Sequence, residues 1–317
     1  MDGSTRYLTT ETMYYRPENL LTLKHLLQTA ERSGYAIGAF SPRYTPSIRA
    51  IFRAGQKLQS PLIVQIAQIE LEWFNLTLRE FAFDFWEQLD AERPSIPFCL
   101  HLDHTQDVDL IREAIAYGFT SVMIDASTYP LDDNITITRK VVEYAHARGV
   151  SVEAELGRIG AADFAEGESG DEELFTDPEE AEQFVHETGV DALAVSVGTA
   201  HGVYTVRTPR IDIERLKTIR ARTPVHLVLH GGSGTPADLI RQAVCLPGGG
   251  ISKINIATDL ELGLLRALGR QERMTNANIK AFEAGKLEVG LAGVQAVVED
   301  KIVNFLGSYH HALDFTG

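Results

Sequence analysis

The chain has 317 residues, 44% of them apolar and 23% charged, which is the balance of a folded protein with a large core and not of a disordered one. Its formal charge of −15 argues against nucleic acid or an anionic membrane surface as partner, because a polyanion gains nothing from a field of its own sign. Cys99 and Cys245 lie in or beside apolar stretches, and the opening MDGSTRYLTTETMYYRPENL lacks the apolar core of a signal peptide. A reducing, cytoplasmic location without disulfides is therefore expected. No run approaches the ~18 apolar residues of a membrane span.

In chain order, residues 20–33 read as an amphipathic helix suited to closing the bottom of a barrel. Eight short apolar segments follow: YAIGAF (35–40), PLIVQIA (61–67), FCLHLD (98–103), SVMIDAS (121–127), SVEAELG (151–157), ALAVSVG (192–198), HLVLHGG (226–232) and ISKINIAT (251–258). Near-continuous apolar runs of this kind mark strands buried on both faces. Stretches with helical spacing lie between them, for example 107–117, 134–148, 179–188, 211–222 and 237–244, and 289–306 reads as a long terminal helix.

Strand and helix alternate, and no Rossmann glycine fingerprint follows the first strand. The expected fold is α/β, a (β/α)8 TIM barrel with an extra N-terminal helix and a long C-terminal helix. It forms one domain, 1–317, with an N-terminal extension at 1–18 and a C-terminal tail at 307–317. Residues 161–176, AADFAEGESGDEELFT, lack apolar periodicity and read as a mobile loop after the fifth strand.

Barrel enzymes place their sites at the C-terminal ends of the strands, so polar residues there carry the information. The third strand ends in His101-Leu102-Asp103-His104, the sixth runs into Gly198-Thr199-Ala200-His201-Gly202, and the seventh ends in His230-Gly231-Gly232-Ser233-Gly234. A single buried histidine is more often a hydrogen-bonded core residue than a ligand. Three converging on one rim, His104, His201 and His230, resemble the donor set of a catalytic zinc with an open position. His101 shares a face with Asp103 and is assigned to packing or support. Glycines beside His201 and His230 let backbone N–H groups approach an anion: Gly202, Gly231 and Ser233, with Asn255, Ala257 and Thr258 after the eighth strand, make a candidate phosphate cradle. Asp103, Asp125, Glu153 and Glu155 are carboxylates that need a cation, either the metal or an ion pair with Arg158 or Lys253.

The strings HLDHTQDVDLIREAI, SVMIDAS, SVEAELGRIG, VSVGTAHGVY, LVLHGGSG and KINIAT together resemble the class II fructose-bisphosphate and tagatose-bisphosphate aldolases. The resemblance implies a sugar-phosphate substrate and Zn²⁺ held by His104, His201 and His230, with Glu155 as an alternative ligand. It also implies Asp103 as the acid/base at the C4 hydroxyl, C1-phosphate donors at Gly202, Gly231, Ser233 and Thr258, and a substrate contact at Asn255. A second divalent or monovalent cation, and a homodimer or homotetramer, are further expectations.

Departures from the family pattern fall at the far end of the substrate. Ser41 and Ala67 stand where the family has Asn and Ser, and Asp163 stands in place of a loop Glu as candidate second base. Asn278-Ile279-Lys280 replaces the Asp-Pro-Arg used for a distal phosphate. Arg43, just past the first strand, is the expected substitute clamp. Two other readings are a Schiff-base lyase using Lys253, which three histidines would leave unexplained, and a non-catalytic partner subunit, which would be expected to lose them.

Overall fold

The computed structural model describes residues 6–9, 12–159, 175–200, 202 and 210–315. An antiparallel hairpin, β1 (Arg6–Thr9) and β2 (Thr12–Tyr15), precedes the barrel. The barrel strands are β3 (Ile37–Phe40), β4 (Leu62–Ala67), β5 (Phe98–Thr105), β6 (Ser121–Ile124), β7 (Ser151–Leu156), β8 (Ala192–Val195), β9 (His226–Leu229) and β10 (Ile251–Ile256). They pair in parallel in sequence order, and β10 closes the ring on β3. Seven of the eight segments expected from the sequence contain one of these strands, and β5 runs two residues past its segment, to Thr105.

Around them run α1 (Leu23–Ser33), α2 (Ser47–Leu58), α3 (Gln68–Trp73), α4 (Leu78–Glu92), α5 (Val108–Ala116) and α6 (Leu131–His146). Next come α7 (Pro178–Thr188), α8 (Ile213–Arg222), α9 (Ala237–Val244), α10 (Thr258–Ala267), α11 (Asn276–Lys280) and α12 (Ala284–Asp300). The expected loop at 161–176 lies almost wholly outside the described residues.

Helix α1 starts where Thr22 accepts the His25 N–H and stops at Gly34, whose φ of +75° ends the helical path. Its Leu23, Leu26, Leu27 and Ala30 pack with Ile37, Ile63 and Cys99 of the strands. Ala39, Ala192 and Ala194 are small enough to admit those leucines, so the helix plugs the barrel floor. The mouth at the opposite end is left for polar chemistry.

The terminal helix differs from the single run expected at 289–306. It begins earlier, at Ala284, and beyond Asp300 it widens into a π-helical turn, Lys301–Leu306, ending at Gly307. Against α10 it approaches backbone to backbone: a Cβ at Gly293 would lie 2.4 Å from the Gly263 carbonyl oxygen. The tail is anchored too, with the Ala312 N–H donating to the Gln59 carbonyl at 2.8 Å. Among the described residues, no helix is long and apolar enough to cross a membrane.

Candidate active site

The mouth of the barrel begins with an irregularity in β5. Leu102 pairs with Val122, but Thr105 pairs with Ile124, so β5 carries one residue more than β6 across this interval. His104 absorbs it with φ +37°, a backbone conformation uncommon outside glycine. A regular strand would send Asp103 and His104 to opposite faces; the bulge lets both join one site. Ligand atoms of Asp103, His104 and His230 fall within 4.8 Å of one another, and the two imidazole centroids are 4.3 Å apart.

Each of these histidines is backed by a carboxylate. His104 Nδ1 stands 2.9 Å from Asp125, and His230 Nε2 stands 3.0 Å from Glu153. A neutral imidazole that donates one N–H to a carboxylate has its tautomer fixed, with the other nitrogen available as a ligand. The remaining nitrogen of His230, Nδ1, faces Glu155 at 3.1 Å. Two acceptors at that distance need a proton or a cation near them.

Electrostatics point the same way. Burial alone would lower the His104 pKa, but Asp103, Asp125 and Glu155 outweigh it and raise it to about 10. Burial, then the Asp125 charge, push the Glu155 carboxyl up. Burial would also raise Asp103, yet Lys253 and His104 hold it well below the usual carboxylate range. The site therefore favours positive charge at its centre while keeping Asp103 ionised. Carboxylate-backed imidazoles in an acidic, buried mouth fit a divalent cation.

Asp103 is gripped from two strands: Gln65 Nε2 donates to it at 3.0 Å, and Asn255 Nδ2 reaches both its oxygens at 3.0 and 3.2 Å. Gln65 was missed in the sequence, although one polar residue inside the apolar run LIVQIA was a usable signal. Lys253 bonds Glu153 at 2.8 Å, which realises the ion pair weighed from the sequence. An ammonium bound to a carboxylate is not the free amine a Schiff base requires. His101, assigned to packing or support, is fully buried, with Nδ1 2.8 Å from the Ser121 hydroxyl.

The candidate cradle is built from two pieces. Gly231 has φ +69°, and a Cβ there would meet the Ala200 carbonyl oxygen at 2.2 Å, so only glycine fits. Gly202 has φ +100° and is buried. Ser233 Oγ accepts the Asp259 N–H at 3.3 Å, tying this loop to the first turn of α10. Thr258 opens that helix and follows Ala257, which caps it without a side-chain bond. A helix N-terminus and glycine-flanked N–H groups side by side suit an anion. His201 and Asp163 lie outside the described residues.

Arg43 is placed differently from the expected clamp at the rim. It is 3% exposed, with Nε bonded to Glu70 at 3.0 Å, Nη1 to Glu261, and Nη2 3.3 Å from the Thr258 hydroxyl. Its φ of +58° belongs to a tight turn after β3, and two carboxylates from α3 and α10 draw the guanidinium inward. Arg43→Met should therefore act mainly on stability. Glu70 would lose its cation while Glu261 keeps Arg273 at 3.1 Å, and breaking the buried pair is expected to cost about 3–5 kcal/mol, read from urea denaturation. A loss under 1 kcal/mol would show that the pair is not structural. Lys280 is similarly committed, bonding both oxygens of Asp84 at 2.9 Å.

Comparison with known proteins identifies the family. The family described as "Fructose-bisphosphate aldolase class-II" matches residues 21–310. A fructose-bisphosphate aldolase of Giardia intestinalis is 38% identical over 270 residues, covering 78% of this chain and 82% of that protein. Among solved structures, the YdjI aldolase of Escherichia coli K12 superposes with a TM-score of 0.77 at 29% identity, over 92% of this chain and 99% of that one. A Campylobacter jejuni fructose-bisphosphate aldolase, at 24% identity, shares the fold with a TM-score of 0.70 over 91% of this chain and 95% of its own. The matched span and the 38% identical relative lead to one conclusion: the chain belongs to the class II fructose-bisphosphate aldolase family, whose members are metal-dependent lyases.

Proposed function

We propose that the protein is a zinc-dependent aldolase that reversibly cleaves a ketose phosphate or bisphosphate to dihydroxyacetone phosphate and an aldehyde. The observation that carries this reading is the convergence of Asp103, His104 and His230, with each imidazole backed by a carboxylate. His104, His201 and His230, with Glu155 as an alternative ligand, would hold the zinc, which when bound would supply a Lewis acid for the C2 carbonyl of the substrate. No second cation is needed for that role.

Asp103 takes the proton of the C4 hydroxyl as the C3–C4 bond breaks, and returns it in the synthetic direction. Its amide partners, Gln65 and Asn255, hold it in place. Asp163 is the candidate for the proton delivered at C3. Gly202, Gly231, Ser233 and Thr258 bind the C1 phosphate with the N-terminus of α10, while Asn255 and Ala257 border it. With Arg43 buried and Lys280 committed to Asp84, nothing among these residues favours a distal phosphate over an uncharged end. The same reading carries a cytoplasmic homodimer or homotetramer.

Zinc-loaded protein should release dihydroxyacetone phosphate from at least one member of a panel of ketose 1-phosphates and 1,6-bisphosphates differing at C4. Silence across the panel would sink the reading. Gly231→Ala should raise the Michaelis constant while sparing kcat, because the loop must shift away from Ala200. The left-handed backbone alone costs it roughly 1–2 kcal/mol in stability. An unchanged Michaelis constant would remove Gly231 from the cradle.

A further inference from the structure

Below the histidines lie three ionisable side chains with no exposure at all: His101, Glu153 and Lys253. Lys253 Nζ donates to Glu153 Oε1 at 3.1 Å, forms an ion pair with Oε2 at 2.8 Å, and stands 3.6 Å from Asp103. The Glu153 oxygen at 3.1 Å from the ammonium, Oε1, is also the one 3.0 Å from His230 Nε2. A continuous path therefore runs from β10 through β7 to the histidine that follows β9.

We infer that Lys253 is a positioning residue for the metal: its ammonium is the counter-charge that keeps Glu153 in place to accept the Nε2 proton of His230, so that Nδ1 is presented as the ligand. The chemistry is general. A neutral imidazole has one donor and one acceptor nitrogen, and a carboxylate beside Nε2 selects the tautomer with the proton there. A carboxylate without exposure holds its charge only against a cation or several donors, and Lys253 supplies both in one group. His101 does not duplicate it, since its Nε2 is 3.6 Å from the other Glu153 oxygen and its Nδ1 faces Ser121.

The inference rests on the metal reading above, and it makes a prediction that a plain core ion pair does not. A core pair matters to folding alone, whereas this pair also sets metal affinity through a residue that touches no metal.

Zinc affinity, measured by competition with a chromophoric chelator, separates the cases. Lys253→Met should weaken zinc by about 10–100-fold, the range for lost support of a metal-bound histidine. In the double variant Lys253→Met/Glu153→Gln most of that loss should be recovered, because a glutamine carbonyl accepts the Nε2 proton without a counter-charge. Wild-type protein that takes up no zinc would end the metal reading itself. Normal wild-type affinity with an unchanged Lys253→Met variant, or a double variant no better than the single, would overturn only this inference. Should neither variant fold, ¹⁵N spectra of the zinc-loaded wild type decide. A proton on His230 Nε2 and none on Nδ1 is expected, and the reverse assignment refutes the role of Lys253.

Discussion

Replacing His230 by alanine is expected to abolish metal retention and turnover together. Its side chain is fully buried, with Glu153 on one nitrogen and Glu155 on the other. Removing it takes away one of two described imidazole donors and deprives both glutamates of their imidazole partner. Loss of a neighbour that merely supports a metal ligand costs 10–100-fold, so loss of the ligand should exceed ~100-fold in zinc affinity. His104→Ala should do the same, and there the loss removes the partner of Asp125 as well. Metal content after dialysis and turnover with added zinc are the two readouts. A His230→Ala protein that keeps stoichiometric zinc would remove this residue from the ligand set.

Asp103→Ala should separate binding from chemistry. Gln65 and Asn255 donate to this carboxylate, and Lys253 with His104 keeps it ionised, which is the state a proton acceptor needs. Without it, zinc should remain bound while kcat falls by at least ~10²-fold, as for a positioned acid/base. The Michaelis constant should move far less than kcat, since phosphate binding lies elsewhere on the rim. Near-normal turnover would exclude Asp103 from the reaction; lost zinc would reassign it as a ligand.

Much of this was legible in the sequence because barrels advertise themselves. Buried strands give unbroken apolar runs, and polar residues in or at the ends of them stand out, which is how Asp103, His104, Glu155 and His230 were singled out as candidates. The bulge in β5 was not legible: adjacent Asp and His on a strand point to opposite faces unless a residue such as His104 takes φ +37°, and no periodicity reports that. Arg43 was misplaced for a different reason. Its partners Glu70 and Glu261 lie 27 and 218 residues away, so burial of its guanidinium depends on folding that no local pattern encodes. The short helices α3 and α11, six and five residues long, offer too few turns for a readable period. The tail at 307–317 was named without a docking site; backbone bonds to Leu58 and Gln59 fasten it.

Aldol cleavage is proposed to depend on a metal held at His104 and His230. This dependence is tested most directly by stripping the protein with a chelator and titrating zinc back while following dihydroxyacetone phosphate release from the best substrate of the panel. Activity should vanish on stripping and return in proportion to zinc, saturating near one ion per chain as expected for one such site. Activity that survives the chelator and is destroyed by borohydride in the presence of substrate would contradict the account, and would return the chemistry to an amine such as that of Lys253.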